Sequence, residues 1–484
     1  MNISKTDRIQ ALTHGISESD LERQLSLLEG GVRNTLLIRP ATIGDGIVRL
    51  SDQEKRELAN QFRELSRDLD VIKFIPASGA ATRMFRDLYG FVETGTVTAT
   101  VQQFFDHIRE FAFYEKIVAE RNYPTDPREQ VLFLLGEKGF NFGQLPKGLL
   151  PFHRDEEKTI TPIESHINEA TSYSDLKDGS VAVHFTLSPE HLHEAAKVIW
   201  NSVFELEEKF GIESSIYLSE QDASTDTIAL VEGEELLRDE KGNLIFRPGG
   251  HGSLIKNLQE TDADIVFIRN IDNILPPKRN TENVFYKKVL GSYLIQLQIE
   301  IHSVLRALSD DNSNAVEKAR KLIAQYFGIQ KADSFSKQEL ISFLDRPMRV
   351  AGMVKNEGEP GGGPFWVLDE NGKESLQIVE AVQVGKEIEQ QEILKNATHF
   401  NPVDLVCSIK DYKGEKFVLN DYVDFSSSLI VEKSIQGKKV KGLEHPGLWN
   451  GSMAKWLTVF IEIPVSTFNP VKTINDLLKE RHKE

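Results

Sequence analysis

Apolar, strand-like segments alternate with amphipathic, helix-like segments in the middle of this chain, and this alternation is its strongest constraint on the fold. The strand-like segments are SVAVHFTLS, ESSIYLSEQ and DADIVFIRNIDNI, and the helix-like segments include TPIESHINEA, PEHLHEAAKVIWNSVFELEEKFG and HGSLIKNLQET. Consecutive strands joined through helices normally lie parallel, with right-handed crossovers. The pattern therefore predicts an α/β fold with a largely parallel sheet.

Different patterns flank the alternating region and predict three consecutive parts. Residues 1–68 have helical periodicity and a polar composition, which predicts an N-terminal helical segment. The α/β core is predicted over 69–345, with a helical insertion at 85–144 in which residues 100–121 form one amphipathic helix. Residues 346–484 alternate short apolar runs with turns, which predicts a β-rich part that ends in a helix.

Charge and cysteine content exclude several classes of function. The 484 residues carry 57 Lys and Arg against 74 Asp and Glu, a net charge of −17. Proteins that bind nucleic acid independently of sequence need a basic surface, so no nucleic-acid partner is expected, although a locally basic pocket can still bind a small anion. The single cysteine, Cys407, excludes an intrachain disulfide and a thiolate metal cluster. The polar N-terminus and the lack of a long apolar run predict a cytoplasmic protein without a membrane partner.

A turn of small residues follows the strand-like segment VIKFIP and is a candidate phosphate-binding loop. The turn comprises Ala77, Ser78, Gly79, Ala80, Ala81 and Thr82, and Arg83 follows it. Small residues allow backbone N–H groups to point at an anion, and a guanidinium matches phosphate oxygens. The segment lacks the glycines and lysine of a P-loop and the glycines of a Rossmann fingerprint. Taken alone, it fits a strand-to-helix turn with small residues for packing equally well.

A glycine-rich segment, FRPGGHGSLIKNL, precedes a predicted helix and is a second candidate site. Gly249, Gly250 and Gly252 leave room for a ligand against the backbone, and His251 could donate a hydrogen bond to a phosphate or a base. Further along, Asp272 is predicted at the carboxyl end of a buried strand, where open α/β sheets bind ligands. A lone carboxylate there suits Mg²⁺, which keeps phosphates and waters as its other ligands. The alternatives are an exposed flexible turn and an Asp-Asn turn cap.

Together and in this order, the segments resemble the signatures of nucleotide-diphospho-sugar transferases, and of UDP-sugar pyrophosphorylases of the UDP-glucose type in particular. The resemblance is carried by SGAATRM, by LPKGLLPF with Lys147, by the Pro-Gly-Gly-His-Gly loop and by the strand that ends Asn-x-Asp-Asn. In the family the first two segments lie close together in sequence, whereas here the predicted helical insertion separates them. We predict a bacterial domain family of unknown function within this superfamily.

The resemblance implies a three-layer fold of the nucleotide-diphospho-sugar transferase kind, with a mixed sheet, and a Mg²⁺-dependent nucleotidyl transfer. The substrates would be a sugar 1-phosphate and a nucleoside triphosphate, with UTP as the family's example, and the products an NDP-sugar and pyrophosphate. In that scheme Arg83 and Lys147 are catalytic and Asp272 binds Mg²⁺. The turn 77–82, the loop 249–252 and Gln221 contact the nucleotide and its phosphates.

Further contacts and rival functions follow from weaker features. The candidates for sugar contacts are Lys355, Glu359, Gly361 and Glu380, although a glycine-rich surface hairpin explains the first three equally well. In HPGLWNGSMAKW, a buried turn is the favoured interpretation over a ligand contact by Trp449 or Asn450. One rival function is a glycosyltransferase, for which Asp262-Ala263-Asp264 is the nearest approach to a D-x-D metal motif. The other is a nucleotide-sugar-binding protein without turnover.

Overall fold

Helices and strands alternate through the middle of the chain, as the sequence pattern predicts. The computed structural model describes residues 3–79, 81–155, 158–231, 235–310, 312–359, 361–370, 372–435 and 438–483. The strands are β1 Leu36–Pro40, β2 Thr42–Ile43, β3 Gly46–Val48, β4 Val71–Pro76, β5 His153–Asp155, β6 Lys158–Ile160, β7 Val181–Leu187, β8 Ser214–Glu220, β9 Ala229–Val231, β10 Glu235–Leu236, β11 Ile265–Arg269, β12 Met348–Lys355, β13 Gly363–Leu368, β14 Glu374–Val379, β15 His399–Phe400, β16 Asp404–Ser408, β17 Leu429–Ile435, β18 Lys438–Glu444 and β19 Leu457–Glu462.

The helices lie mainly in the first half of the chain and in residues 281–344. They are α1 Lys5–Thr13, α2 Glu18–Gly30, α3 Asp52–Leu65, α4 Arg86–Thr94, α5 Ala99–Asp106, α6 Tyr114–Ala119, α7 Pro127–Leu135, α8 Pro162–Ala170, α9 Leu192–Phe210, α10 Leu254–Glu260, α11 Thr281–Ser309, α12 Ser313–Phe327, α13 Lys337–Leu344 and α14 Ile388–Lys395. None of the described helices combines the length and the apolar character needed to cross a lipid bilayer.

The chain divides into two compact units, each built from separate segments. Unit 1 comprises Met1–Gln61, Gln221–Ile265 and Leu290–Ile463, and unit 2 comprises Phe62–Glu220, Val266–Val289 and Pro464–Glu484. Both units therefore draw on distant parts of the sequence. The three consecutive parts 1–68, 69–345 and 346–484 stay a sequence-based prediction.

Unit 2 contains the parallel strands that the alternation predicts. β4 pairs parallel with β7, and β7 pairs parallel with β8, while β11 lies beside β4 on its other edge. β7 is buried along its whole length, as a strand covered on both faces requires. Helix α9 connects β7 to β8 and buries Ala195, Ile199 and Leu206 against this sheet.

Unit 1 is more mixed in its strand directions. β12 pairs parallel with β19 and antiparallel with β16, and β19 pairs parallel with β3. Two antiparallel sheets accompany it, in the orders β1-β13-β14 and β10-β9-β18-β17. The hairpin between β13 and β14 turns at the predicted DENGKE segment, where Gly372 has a φ of +72°. The predicted change to antiparallel pairing after residue 346 is therefore observed within unit 1.

The amphipathic helix predicted over residues 100–121 is interrupted in the structure. α5 ends at Asp106, a 3-10 turn covers Ile108–Glu110, and α6 begins at Tyr114. On one straight helix Phe104 and Phe111 would share a face, whereas Phe113 would point to the opposite side. The interruption allows all three rings to enter one core, with centroids 5.3 Å apart for Phe104–Phe111 and 4.9 Å apart for Phe111–Phe113.

The end of the chain contains two short 3-10 turns where the sequence predicts one helix. They cover Ile474–Leu478 and Glu480–His482. Thr473 and Asp476 cap the first turn reciprocally, and Ile474 and Leu477 are buried in the same aromatic core as Phe104. This packing holds the segment around residues 464–483 within unit 2.

Candidate functional site

The small-residue turn after β4 packs closely and leaves its centre open. Ala77 and Ala81 are fully buried, and their N–H groups donate to Thr186 O at 2.9 Å and to Leu145 O at 3.4 Å. The N–H groups of Ser78 and Gly79 donate to no group in the described part of the chain. Small residues permit this packing, and the two N–H groups without an acceptor in the described part of the chain are candidate donors to an anion. Ala80 lies outside the described residues.

Thr82 and Arg83 follow the turn and are exposed. They belong to a 3-10 turn, Ala81–Arg83, and α4 begins only at Arg86. Within the described residues, the Arg83 guanidinium has no hydrogen-bond or ion-pair partner. Arg83 is thus an exposed cation at the end of the turn, without a partner among the described residues, and could bind an anionic ligand.

Lys147 lies against the turn although 63 residues separate it from Arg83 in the sequence. Its N–H donates to Gly79 O at 3.3 Å, and the neighbouring Gly148 packs on Ile163 and Ile271. The insertion therefore leaves the two predicted pieces of the phosphate site in contact. Pro146 has extended backbone angles and precedes the short 3-10 turn Lys147–Leu149, in which Gly148 and Leu149 are buried.

Two ammonium groups and one carboxylate meet below this turn. Lys147 Nζ lies 2.7 Å from Asp272 Oδ2 and 2.7 Å from the carbonyl of Val471. Lys472 Nζ lies 3.4 Å from the same carboxylate oxygen. The side chains of Lys147 and Asp272 are 13% and 9% exposed, whereas that of Lys472 is 57% exposed. Unit 2 thus places two cations against one carboxylate, and Lys147 also contacts the turn that leads to Arg83, an electrostatic environment that favours a polyanion.

Lys472 is a site residue that the sequence analysis missed. It sits in the segment FNPVKTINDLL, where no glycine-rich loop or metal-ligand spacing draws attention to a lysine. The N–H of Val471 donates to the backbone carbonyl of Asp272 at 3.0 Å, and this contact brings Lys472 to the carboxylate. The local signal in the sequence is weak: Lys472 directly precedes a capping pattern formed by Thr473 and Asp476, which marks the start of a helical turn.

The residues present fit Mg²⁺ only as an ion shared with a phosphate ligand. No group of three or more His, Cys, Asp or Glu side chains in the described ranges could hold a metal alone. Asp272 Oδ2 accepts from two lysines, and Oδ1 has no hydrogen-bond partner among the described residues. One carboxylate with a free oxygen suits an ion that takes most ligands from phosphates and water, as Mg²⁺ does.

The predicted glycine-rich loop lies in unit 1 and is closely packed. Gly250 has a φ of +77°, in the left-handed region that favours glycine, and Glu444 lies against it. A side chain at Gly249 would collide with His445 and Thr225, and one at Gly252 with Pro446. Close neighbours therefore require glycine at these positions: the His445 side chain and the Thr225 carbonyl at Gly249, and the 445–446 backbone at Gly252.

His251 is held in one tautomer and presents a donor. Its Nδ1 accepts the N–H of Leu448 at 3.1 Å, so the proton of the neutral ring lies on Nε2. Burial lowers the pKa of His251, and the nearby carboxylates of Glu380 and Glu444 oppose that effect. Trp449 stacks on the ring with centroids 4.4 Å apart. The predicted hydrogen-bond donor is therefore available at neutral pH on a rigid support.

Glu380 belongs to the same part of unit 1 and is linked to Asn450 through Gln383. Gln383 Oε1 accepts from the Glu380 N–H at 2.9 Å and from Asn450 Nδ2 at 3.1 Å. Asn450 is buried, and its Oδ1 has no hydrogen-bond partner among the described residues. An unpaired buried amide oxygen is costly, and a ligand hydroxyl would satisfy it. His251, Glu380 and Asn450 are three polar groups of unit 1 in this region.

The remaining predicted contacts are exposed or half-buried positions of unit 1. Gln221 is half-buried just after β8, and Lys355, Glu359 and Gly361 are exposed around the turn from β12 to β13. Nothing in the described contacts joins these three to Glu380. The D-x-D candidate of the glycosyltransferase interpretation is occupied by lysines, since Asp264 lies 2.8 Å and Asp262 3.7 Å from Lys410 Nζ.

The protein has a mixed α/β fold of the nucleotide-diphospho-sugar transferase kind, as predicted. Its structure is similar to that of a UDP-glucose phosphorylase from Trypanosoma brucei, with a TM-score of 0.50, 12% sequence identity, and coverage of 99% of this chain and 79% of the other. A family model described as "Domain of unknown function (DUF4301)" matches residues 4–483, and the chain belongs to that family.

Two other solved structures are similar at lower scores. One is a point mutant of UDP-glucose pyrophosphorylase from Leishmania major in complex with UDP-Glc, with a TM-score of 0.47, 11% identity, and coverage of 99% and 79%. The other is a different point mutant of UDP-glucose pyrophosphorylase from the same organism, with a TM-score of 0.46, 13% identity, and coverage of 98% and 78%. No curated protein sequence matched the chain. The predicted fold class and the predicted family resemblance are confirmed.

Proposed function

We propose that this protein is a Mg²⁺-dependent nucleotidyltransferase that joins a sugar 1-phosphate to UTP and releases pyrophosphate. The observation that carries the proposal is the cluster of Lys147, Lys472 and Asp272 beside the turn after β4. In a chain with a net charge of −17, this cluster concentrates cations, a carboxylate and free N–H groups in one place. These are the groups that transfer of a nucleotidyl group requires.

The reaction requires the protein to align the two substrates and to neutralise the charge on their phosphate oxygens. A phosphate oxygen of the sugar 1-phosphate attacks the α-phosphorus of the nucleotide, a new P–O bond forms, and the bond to the leaving pyrophosphate breaks. In the proposal, the N–H groups of Ser78 and Gly79 bind the triphosphate, and Arg83 binds the leaving pyrophosphate. Lys147 and Lys472 neutralise the phosphate oxygens at the reacting centre.

Asp272 is the residue that would hold Mg²⁺ on the nucleotide. When bound, the ion supplies a template and a Lewis acid for the phosphate oxygens. Lys147 then donates to phosphate oxygens in place of Asp272 Oδ2, since a four-carbon side chain can turn within a short radius. Without nucleotide, the ion pair keeps both charges from being buried alone.

Further residues that the resemblance assigns to the nucleotide and the sugar belong to unit 1. His251 donates from Nε2 to a phosphate, and Glu380 and Asn450 accept from sugar hydroxyls, with the Asn450 amide held by its bond to Gln383. Gln221 contacts the nucleotide, and Lys355, Glu359 and Gly361 are the further sugar contacts. The choice of uridine rests on the resemblance of the motifs to UDP-sugar pyrophosphorylases.

Pyrophosphate release tests the proposal directly. The protein is incubated with UTP, GTP, CTP or dTTP and a panel of sugar 1-phosphates, with Mg²⁺ or with EDTA. We expect release with one base, dependence on Mg²⁺, and a loss of about 10²- to 10³-fold for Asp272→Asn and for Lys147→Met, equivalent to roughly 3–4 kcal/mol of barrier. No release across the whole panel would contradict the proposal. Calorimetric binding of a UDP-sugar in that case would indicate a binding protein without turnover.

A further inference from the structure

Asp272 lies on a turn whose backbone is held from both sides by fully buried side chains. The carbonyl of Ile271, before it, accepts a hydrogen bond from His166 Nε2 at 3.2 Å. The carbonyl of Asn273, after it, accepts one from Arg269 Nε at 2.6 Å. His166 and Arg269 are both 0% exposed. The peptide units on each side of the carboxylate are therefore fixed by polar side chains that reach no solvent.

The hydrogen bond defines the state of the His166 ring. A carbonyl can only accept, so Nε2 carries the proton and Nδ1 does not. Burial, with the charge of Lys73 added to it, holds the pKa of His166 well below its usual value, and the ring is neutral. Nδ1 has no hydrogen-bond partner among the described residues. The polar contact of this ring is thus the bond to Ile271, next to Asp272.

The helix that carries His166 is tied to strand β4. Lys73, on β4, donates from Nζ to the carbonyl of His166 and to Glu169 Oε1, both at 3.0 Å. Tyr173 donates to the same carboxylate oxygen at 2.7 Å. β4 leads directly into the turn 77–83. One buried network therefore connects the turn that is proposed to bind phosphate with the carboxylate that is proposed to hold Mg²⁺.

Packing alone does not account for this network. Burial lowers the pKa of Lys73 to about 8, which shows how poorly the interior solvates its charge. Burial also raises the pKa of Glu169, but the attraction of Lys73, Arg269 and Lys287 is larger, so the net shift is downward. Apolar residues of the same volume often stabilise a fold as well as a buried ion pair does, or better. What apolar residues cannot supply is a directed hydrogen bond to a backbone carbonyl.

We propose that His166 and Arg269 are positioning residues for Asp272, and that the Lys73–Glu169 pair holds His166 in place for this role. The inference rests on the proposed nucleotidyl transfer, in which the carboxylate gives up Lys147 and receives a divalent cation. Because the backbone is held at Ile271 and Asn273, the Asp272 side chain can change partners while the backbone that carries it stays in place. Residues that orient a metal ligand in this way typically change metal affinity or activity by about 10- to 100-fold when removed.

Two amide substitutions of one residue separate positioning from stability. In His166→Gln the amide nitrogen lies near the place of Nε2 and can still donate to Ile271. In His166→Asn it lies near the place of Nδ1 and cannot. Both variants bury an amide in the same helix, so both share the cost of replacing the ring. His302→Gln, in α11, replaces a half-buried histidine that has no hydrogen bond in the described structure and serves as the control.

The variants are compared by binding of Mn²⁺ in the presence of UTP, followed by electron paramagnetic resonance, and by kcat and KM for pyrophosphate release. We expect His166→Asn to weaken Mn²⁺ binding about tenfold or more and to lower kcat by a similar factor, while the KM for sugar 1-phosphate changes less than about twofold. His166→Gln should restore both within about threefold, and His302→Gln should match the wild type.

Equal Mn²⁺ binding by the folded Asn and Gln variants would overturn the inference, whatever their stabilities. Should the Asn variant fail to fold, Mn²⁺ binding by Arg269→Lys is compared with that of the wild type. Arg269 donates to the Asn273 carbonyl and to Asn273 Oδ1 from two different nitrogens, and a lysine has one nitrogen for both. Wild-type protein that binds Mn²⁺ with UTP but releases no pyrophosphate would contradict the proposed function. The effect of His166→Asn on Mn²⁺ binding would then still decide the positioning role.

Discussion

Lys147 Nζ and Asp272 Oδ2 form an ion pair at 2.7 Å although the two residues are 125 positions apart in the sequence. Both side chains are largely buried, and Lys147 also donates to the carbonyl of Val471. The pair therefore joins three distant segments of unit 2. Because of this ion pair, substitutions of Lys147 and Asp272 should have interdependent effects on the free energy of unfolding.

This coupling can be measured with a double-mutant cycle. Lys147→Met and Asp272→Asn should each destabilise the protein by about 1–3 kcal/mol. The first leaves the carboxylate with the more distant Lys472 in place of Lys147, and the second removes the charge that balances the Lys147 ammonium. The double variant should lose less than the sum, with a coupling energy of about 1 kcal/mol or more, measured by urea unfolding. The exposed pair Lys321–Glu317 is the matched control and should show a coupling of less than about 0.5 kcal/mol. Additive losses at Lys147 and Asp272 would show that the ion pair is not formed in solution.

Arg83 should behave in the opposite way, since it is exposed and unpartnered in the described structure. Arg83→Ala should leave the free energy of unfolding within about 0.5 kcal/mol of the wild type. Pyrophosphate release should fall by about 10²- to 10³-fold if the guanidinium binds the leaving group. Arg67→Ala, at another exposed arginine of unit 2, should change neither quantity. Full activity of Arg83→Ala would remove this residue from the mechanism.

Substitution of Lys472 tests the candidate site residue that the sequence analysis missed. Its side chain is 57% exposed, so Lys472→Ala should cost little stability. The rate of pyrophosphate release should fall by about 10- to 100-fold, and Lys472→Arg should recover only part of it because a planar guanidinium replaces a compact ammonium. Lys197→Ala, an exposed lysine on α9, is the control. Equal rates for both alanine variants would place Lys472 outside the reaction.

His251 can be tested while its aromatic contact is kept. His251→Phe preserves a ring for Trp449 to stack on but removes both ring nitrogens. We expect a loss of about 1–2 kcal/mol of stability from the unpaired Leu448 N–H. Calorimetric titration should show binding of UDP-glucose weakened by about tenfold, as for one hydrogen bond to a charged phosphate. Unchanged affinity would assign the loop a structural role alone.

The buried pair of His153 and His482 predicts a loss of stability in acid. His153 Nε2 and His482 Nδ1 are 3.0 Å apart, and burial lowers the pKa of His482 to about 4 and that of His153 well below its usual value. Because the unfolded chain binds these protons near pH 6.5, the contribution is complete above that pH and declines as pH falls towards 4. His482 alone accounts for roughly 3 kcal/mol over this window. Urea unfolding of His482→Gln between pH 7.5 and 4.5 should show a shallower decline, and an unchanged slope would contradict the assignment.

Local patterns were sufficient wherever a feature is defined within a few residues. The strand before Ala77, the glycine loop around His251 and the strand that ends before Asp272 all follow from short-range periodicity and turn chemistry. The helix predicted over 100–121 shows where such patterns stop. The periodicity shows that Phe104, Phe111 and Phe113 are apolar, but it does not show that all three pack in one buried cluster. That packing requires the helix to be interrupted.

By itself, the sequence determined the class of fold, the resemblance to UDP-sugar pyrophosphorylases and the separate candidate motifs, because these depend on the order and spacing of neighbouring residues. Only the tertiary structure decided that Lys147 reaches Asp272, that Lys472 joins them, and that His166 and Arg269 clamp the turn between them. The physical reason is that these contacts close long loops. Their geometry is set by the packing of distant segments, which leaves no periodic trace along the chain.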